Sequence, residues 1–313
     1  MKGVVTKSTG SWYSVRVEDG KVYSCRIPGK FRTKGIKSTN PIAVGDIVTF
    51  ELEPKKDTGV VKEIHERSNF IVRKSVNLSK QTHIIASNID VAFLVVTLHN
   101  PETSTTFIDR FLATAEAYSI KTILLFNKVD THDEDMEEYR KAFKYIYTRI
   151  GYKCIDVSAT EKINIEAVKK IMIGQVSLFA GHSGVGKSTL VNTIEPSLDL
   201  KTKAISVQHQ QGQHTTTFAE MHPLSFGGYI IDTPGIRGFG VVDFDKHQVT
   251  DYFPELFALK SSCKFNNCLH LNEPKCAVKK ALADGVLSAT RYESYVQLLS
   301  DDDEHYRQDV FKS

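Results

Sequence analysis

The sequence predicts three parts in series: a small all-β barrel over residues 1–72, a parallel α/β domain over 73–245, and a mainly helical region over 246–313. Three observations carry the division. Short strand-like runs, broken by turn residues, fill the first seventy positions. Strand and helix patterns alternate after that, as a parallel sheet requires. From about residue 246 three cysteines and a histidine crowd one short segment.

The runs at 3–6, 12–17, 21–26, 46–52 and 60–64 are rich in Val, Ile, Tyr and Phe. Glu18-Asp19-Gly20, Pro28-Gly29, Asn40-Pro41 and Asp57-Thr58-Gly59 separate them as turns. Five short strands with a basic loop in the middle predict an OB-fold, although other five-stranded barrels share the pattern. Charge is uneven along the chain. Residues 1–74 hold 15 Lys/Arg against 8 Asp/Glu, and residues 1–40 alone hold 9 against 2. A basic surface of this kind points to a polyanion partner; a solvated basic face is the alternative.

In the second part, 89–97 is a continuous apolar run, the mark of a strand buried on both faces. Phe107, Phe111, Ala115 and Tyr118 then recur at helical spacing within 106–118. Residues 122–126 predict a second buried strand. Residues 133–150 predict a helix, with Met136, Tyr139, Phe143, Ile146 and Ile150 on one stripe and acids in its first turn. Strand 153–157, helix 165–172 and strand 175–180 follow. In the third part, 288–299 predicts a helix, and the acidic run 301–304 reads as a solvated tail.

Composition narrows the class. At 41% hydrophobic and 25% charged residues, the 313-residue chain is globular rather than disordered. Its longest aliphatic stretch, 91–98, falls far short of the ~20 residues that span a bilayer. Met1-Lys2-Gly3-Val4 opens no long apolar segment, so a cytoplasmic protein without a membrane partner is expected. Five cysteines are an odd count, and a poor disulfide framework.

The strand at 176–180 runs into Gly181-His182-Ser183-Gly184-Val185-Gly186-Lys187-Ser188-Thr189, a GxxxxGKS phosphate loop between strand and helix. Its glycines let backbone N–H groups close around phosphates, and the helix from Lys187 points its positive end at them. Lys187 is expected at the β- and γ-phosphates and Ser188 on Mg²⁺. Asn127-Lys128-Val129-Asp130 follows the strand at 122–126 and selects guanine. Asp130 can accept from N1–H and the exocyclic amine, a donor pair that adenine lacks. The Lys128 stem can pack along the base, and Asn127 can tie this loop to the phosphate loop. Ser158-Ala159 suits a backbone contact to the guanine oxygen. Downstream, 229–232 delivers Asp232 toward Mg²⁺, and Gly235 offers its N–H to the γ-phosphate. Between lies Gly212-Gln213-His214-Thr215-Thr216-Thr217, in a polar stretch from Ser206 suited to a mobile loop. One of Thr215, Thr216 and Thr217 is expected to complete the Mg²⁺ shell.

The order of these motifs is informative. Ordinary G proteins place the phosphate loop first. Here NKVD and Ser158-Ala159 precede it, and DTPG closes the set, so the domain is circularly permuted. With the barrel, GHSGVGKST, QHTTT, DTPGIRGFG and the cysteine segment, essentially the whole chain resembles the ribosome small-subunit-dependent GTPase A family. The resemblance implies GTP hydrolysis stimulated by the small ribosomal subunit during its late assembly. It further implies rRNA of the 16S type contacted by the barrel and zinc domains. A check of the decoding region and release of assembly factors by a monomer are expected on the same basis.

Cys263, Cys268, His270 and Cys276 offer three thiolates and an imidazole, a soft set suited to one structural zinc per chain. The spacing departs from paired CxxC knuckles but matches the resembled family; redox cysteines are the alternative. Cys25 and Cys154, in strand-like stretches, read as thiols without a role. For hydrolysis, many small GTPases orient water with a Gln after the DxxG motif. Here that position is Ile236. His214 is therefore the candidate for positioning water, as the resemblance also implies, with an exposed loop residue or an RNA contact as the alternative. His182 is expected to pack at the nucleotide's edge. Competing readings are a P-loop kinase or ATPase, which Asp130 disfavours, and a non-hydrolysing nucleotide sensor that binds RNA.

Overall fold

The computed structural model of the chain describes residues 1–28, 41–54, 56–74, 82–199, 219–232 and 246–300. The basic loop around 29–40, the polar stretch 206–217 with His214 and Thr215–Thr217, Gly235 and the tail 301–304 lie outside these residues.

The first five strands are β1 (Lys2–Ser8), β2 (Tyr13–Arg16), β3 (Val22–Arg26), β4 (Ile47–Leu52) and β5 (Thr58–Ile64). They run in the order β1-β2-β3-β5-β4 and close through pairing of β1 with β4, a five-stranded barrel. Alternate residues face inward: Val5, Tyr13, Val15, Cys25, Val48, Phe50 and Val61 form its core. A Cβ on Gly59 would lie 2.7 Å from the Phe50 ring and 2.8 Å from Cys25 Sγ, so this strand position must be bare. Cys25 is a core thiol, and burial pushes it up to about 11, where it is inert.

A hairpin of β6 (Phe70–Lys74) and β7 (Thr82–Ser87) follows. Neither strand was expected from the sequence. Their pairing brings Ile71 and Ala86 into the core of the next domain. The barrel is joined here by a compact polar knot. Arg67 donates to both carboxylate oxygens of buried Asp46 at 2.6 Å, and Asp46 also accepts from Ser87 Oγ and the Ala43 N–H.

The second sheet runs β10 (Lys153–Asp156), β9 (Thr122–Phe126), β8 (Val91–Val96), β11 (Val176–Ala180), β13 (Tyr229–Asp232) and β12 (Glu220–Pro223). All are parallel except the edge strand β12. Period two divides the residues between faces. Ala92, Leu94 and Val96 pack with α1 (Thr105–Ala117) and α2 (Glu134–Arg149). Val91, Phe93 and Val95 pack with α3 (Ile165–Met172) and α4 (Lys187–Ile194). Ser104 caps α1 and Asp133 caps α2, each accepting a backbone N–H of the first turn. From β8 the chain moves outward to β9 and β10, then α3 returns it to β11 on the other side of β8. That reversal is the crevice where such sheets bind ligands.

The C-terminal region contains α5 (Pro254–Lys260), α6 (Ala277–Ala283) and α7 (Ala289–Ser300). Phe253, Leu256, Val278, Tyr295 and Leu299 share one core with Ala113 of α1, so this region is seated on the α/β domain. Strand β1 also pairs with β12, Lys7 opposite Glu220, which joins the barrel to the α/β sheet. No helix among the described residues is long and apolar enough to cross a membrane.

Candidate functional site

β11 and β9 flank β8 and end at the same edge of the sheet. The phosphate loop leaves β11 and the NKVD loop leaves β9. Gly181, Gly184 and Gly186 all take positive φ. At Gly186 the requirement is double: φ is +90°, and a Cβ would meet Asn127 Nδ2 at 2.5 Å. Asn127 is 2% exposed and donates through Nδ2 to the Val185 carbonyl at 2.8 Å. Its Oδ1 is buried without a partner among the described residues, an acceptor left for a group arriving at the site.

Lys187 starts α4, with Ser188 and Thr189 behind it in the first turn. Its ammonium turns back over the loop and donates to the carbonyls of Gly181 at 2.6 Å and His182 at 2.5 Å. Ser183, Gly184 and Val185 complete the curve. The His182 ring lies against Phe107 of α1, with centroids 3.6 Å apart. Burial, then the Lys187 charge, pushes this imidazole below its usual value.

On the base side, Lys128 holds a left-handed conformation and donates to the Asn100 carbonyl at 2.5 Å. Val129 and Asp130 sit in a short 3-10 turn. Hydrogen bonding from Ser158, with a lesser contribution from Thr160, holds the Asp130 carboxyl below the usual carboxylate range. The Thr160 hydroxyl is 3.3 Å from Asp130 Oδ2 and 3.0 Å from Ser158 Oγ. Thr193 of α4 donates to the Ala159 carbonyl at 3.1 Å, fastening that loop to the helix behind the phosphate loop. Sequence reasoning missed Thr160, Thr193 and Phe107; only Thr160, two positions after Ser158, carried a local signal. Asp232 ends β13, one strand beyond β11. The expected His214, Thr215–Thr217 and Gly235 lie outside the described residues.

Away from the crevice, Cys263, Cys268, His270 and Cys276 bring one ligand atom each within 4.8 Å of one another. His270 Nδ1 is 3.4 Å from Cys276 Sγ and 3.6 Å from Cys263 Sγ. Backbone N–H groups of Ala277 and Lys279 donate to the sulfurs of Cys263 and Cys276, a pattern that favours thiolate. Glu273 orders the loop by accepting the N–H groups of Leu269, Leu271 and Asn272. Burial pushes the Cys268 thiol up to about 12, so a thiolate there calls for a cation beside it. The compact soft donor set fits a metal site. Cys154, half-buried, stands apart from this group.

A family model described as RsgA GTPase matches residues 64–242, and one described as RsgA N-terminal domain matches residues 2–61. The chain belongs to the RsgA GTPase family. This RsgA-family chain is a circularly permuted GTPase, with the NKVD and Ser158-Ala159 motifs preceding the phosphate loop. It is 61% identical to the small ribosomal subunit biogenesis GTPase RsgA of Flavobacterium psychrophilum, over 99% of this chain and 96% of that one. It is also 61% identical to the protein of the same description from Christiangramia forsetii, over the full length of both. Among solved structures, YjeQ from Thermotoga maritima matches with a TM-score of 0.78 at 33% identity, covering 95% of this chain and 96% of that chain. YloQ, described as a circularly permuted GTPase, matches with a TM-score of 0.74 at 33% identity, covering 96% and 93%.

Proposed function

We propose that this chain binds GTP with Mg²⁺, hydrolyses it to GDP and phosphate, and acts in late maturation of the small ribosomal subunit. The supporting observation is the hydrogen bond from Asn127 to the Val185 carbonyl: it joins the guanine loop to the phosphate loop although their order in the chain is reversed. Asn127, Lys128, Val129 and Asp130, with Ser158 and Ala159, receive the base. Gly181, His182, Ser183, Gly184, Val185, Gly186, Lys187, Ser188 and Thr189 receive the phosphates, and Gly235 offers its N–H to the terminal one.

Ser188, one of Thr215–Thr217 and Asp232 would hold the Mg²⁺, which neutralises charge on the phosphates when bound. Lys187 then exchanges two carbonyl partners for phosphate oxygens, while His214 orients the attacking water. One zinc on Cys263, Cys268, His270 and Cys276 would staple the loop between α5 and α6. The division at 72 and 245 assigns RNA contact to the basic barrel and to the zinc region, with the β6–β7 hairpin bridging the first boundary. A monomeric, cytoplasmic protein that meets 16S-type rRNA near the decoding region, and displaces other assembly factors, completes the reading.

The experiment is GTP turnover with and without purified small ribosomal subunits, beside co-sedimentation in GDP and in a non-hydrolysable analogue. Stimulated turnover and analogue-dependent binding are expected. Turnover indifferent to subunits would overturn the ribosomal part, and failure to bind GTP would overturn the whole.

A further inference from the structure

Arg291 of α7 is 1% exposed, yet carries a full charge. Its Nη1 donates to Asp109 of α1 at 2.8 Å, its Nε and Nη2 to Glu255 at 2.7 and 3.1 Å. Its guanidinium lies over the Phe253 ring at 4.6 Å. Asp109 is fully buried, and its Oδ1 accepts from Tyr147 as well. Three residues before Asp109, Thr106 donates to Gln297, also on α7, at 3.0 Å. The N-terminal part of α1 is therefore gripped twice by the C-terminal helix, at Thr106 and at Asp109.

Phe107 lies between those two grips and packs on His182, the second residue of the phosphate loop. The His182 carbonyl is one of two that hold the Lys187 ammonium. A rigid helical turn thus connects a buried ion pair to the peptide that sets the lysine's position. A close-packed contact of this kind transmits small displacements, because it cannot yield without losing ring contact.

We propose that Arg291 and Phe107 are positioning residues for the phosphate loop: the hold of α7 on α1 at Asp109 fixes the Phe107–His182 ring contact, and through it where Lys187 stands. The C-terminal region then influences nucleotide binding by a route that bypasses residues 206–217 and 233–245. The inference rests on the GTP-binding reading above. It names α1 as the element that anything pulling on the C-terminal region would act through.

The test is a double-mutant cycle on the full-length, metal-loaded protein. Arg291→Lys keeps the charge but loses the forked geometry. Phe107→Leu keeps an apolar residue but removes the ring. GTP affinity is measured by displacement of a fluorescent GDP analogue, and the His182 ring is followed by NMR. Each single variant is expected to weaken GTP binding about three- to tenfold and to move the His182 resonance, a readout that general destabilisation would not single out. In the Phe107→Leu background, Arg291→Lys should add nothing further to the loss of affinity. Effects that multiply independently, or a His182 resonance untouched by Arg291→Lys, would overturn the proposal. If Arg291→Lys does not fold, Gln297→Ala, which removes the second grip, takes its place with the same criteria. A parent protein that fails to bind GTP indicts the functional reading; a parent that binds, with no coupling between the sites, indicts this inference alone.

Discussion

Asn127 and Val185 lie 58 residues apart and share a buried hydrogen bond, side-chain amide to backbone carbonyl at 2.8 Å. Gly186, next in the chain, leaves room for that amide. This hydrogen bond ties the loop that leaves β9 to the loop that leaves β11.

Gly186→Ala should break this tie. The new methyl would sit 2.5 Å from Asn127 Nδ2, and the residue would keep an unfavourable φ of +90°. The strain alone is worth about 1–3 kcal/mol. Nucleotide affinity is expected to fall by roughly tenfold or more while circular dichroism shows an unchanged fold. Unaltered GTP affinity would remove Asn127–Val185 from the binding mechanism.

Asp130→Asn should exchange guanine for xanthine. The amide donates where guanine also donates, but it matches the xanthine carbonyl. Loss of a charged bidentate contact is worth about 3 kcal/mol, roughly 10²-fold. Competition between GTP and XTP measures it. Because hydrogen bonds from Ser158 and Thr160 hold Asp130 below the usual carboxylate range, guanine affinity should also persist on mild acidification. Thr160→Val should bring the acid loss of affinity to higher pH.

Cys268→Ser should release the metal. The C-terminal region would become protease-sensitive while nucleotide binding largely survives, because the α/β sheet has its own two-sided core. Elemental analysis should find one zinc per wild-type chain and none in the variant. A wild-type chain without metal, equally protease-resistant, would count against the site.

Glu195 predicts a pH effect on stability. It is 3% exposed, and accepts from Ser197 Oγ at 2.6 Å and the Ser225 N–H at 2.7 Å. Against the cost of burial, these hydrogen bonds lower its pKa from 4.5 to about 2. A depressed carboxyl stabilises the fold above its unfolded value and loses that contribution as pH falls from 4.5 through about 2. The upper bound is about 3 kcal/mol. Glu195→Gln should lower stability near neutrality and flatten its dependence on pH across that window, as urea unfolding at several pH values would show.

His214→Ala should retain subunit binding that depends on GTP while losing stimulated hydrolysis, since the phosphate and Mg²⁺ ligands remain. Both quantities are measured in one variant. Lost subunit binding with normal residual turnover would make His214 an RNA contact.

Much of this was legible in local pattern. The apolar run of β8 and the glycines of the phosphate loop each declare themselves within a few residues, because burial and backbone freedom act at short range. The stripe expected on α2 is right only in part: Tyr139 is exposed, and Tyr147, outside the stripe, is buried. The permuted order of motifs declared the domain. The β6–β7 hairpin did not, since its register depends on Ile71 and Ala86 meeting the core of another domain. The strand β12 and the helix α5 were missed as well: at four and seven residues they are too short for a periodic pattern to show. Arg291 and Asp109, separated by 182 residues, gave no sign of one another. A buried ion pair is a property of the assembled interior, and its two halves look like ordinary surface charges in the chain.

The pairing of β1 with β12 has a consequence for solubility. β12 is the last strand of the α/β sheet on its side, and β1 covers its outer edge around Glu220. Removing the barrel would open the outer backbone groups of β12 around Glu220 to any other extended strand. A truncated chain beginning at residue 65 should therefore self-associate in a concentration-dependent way, through this newly bared margin, even with its nucleotide loops intact. The barrel is then also a molecular hem, protecting the catalytic sheet from its own copies.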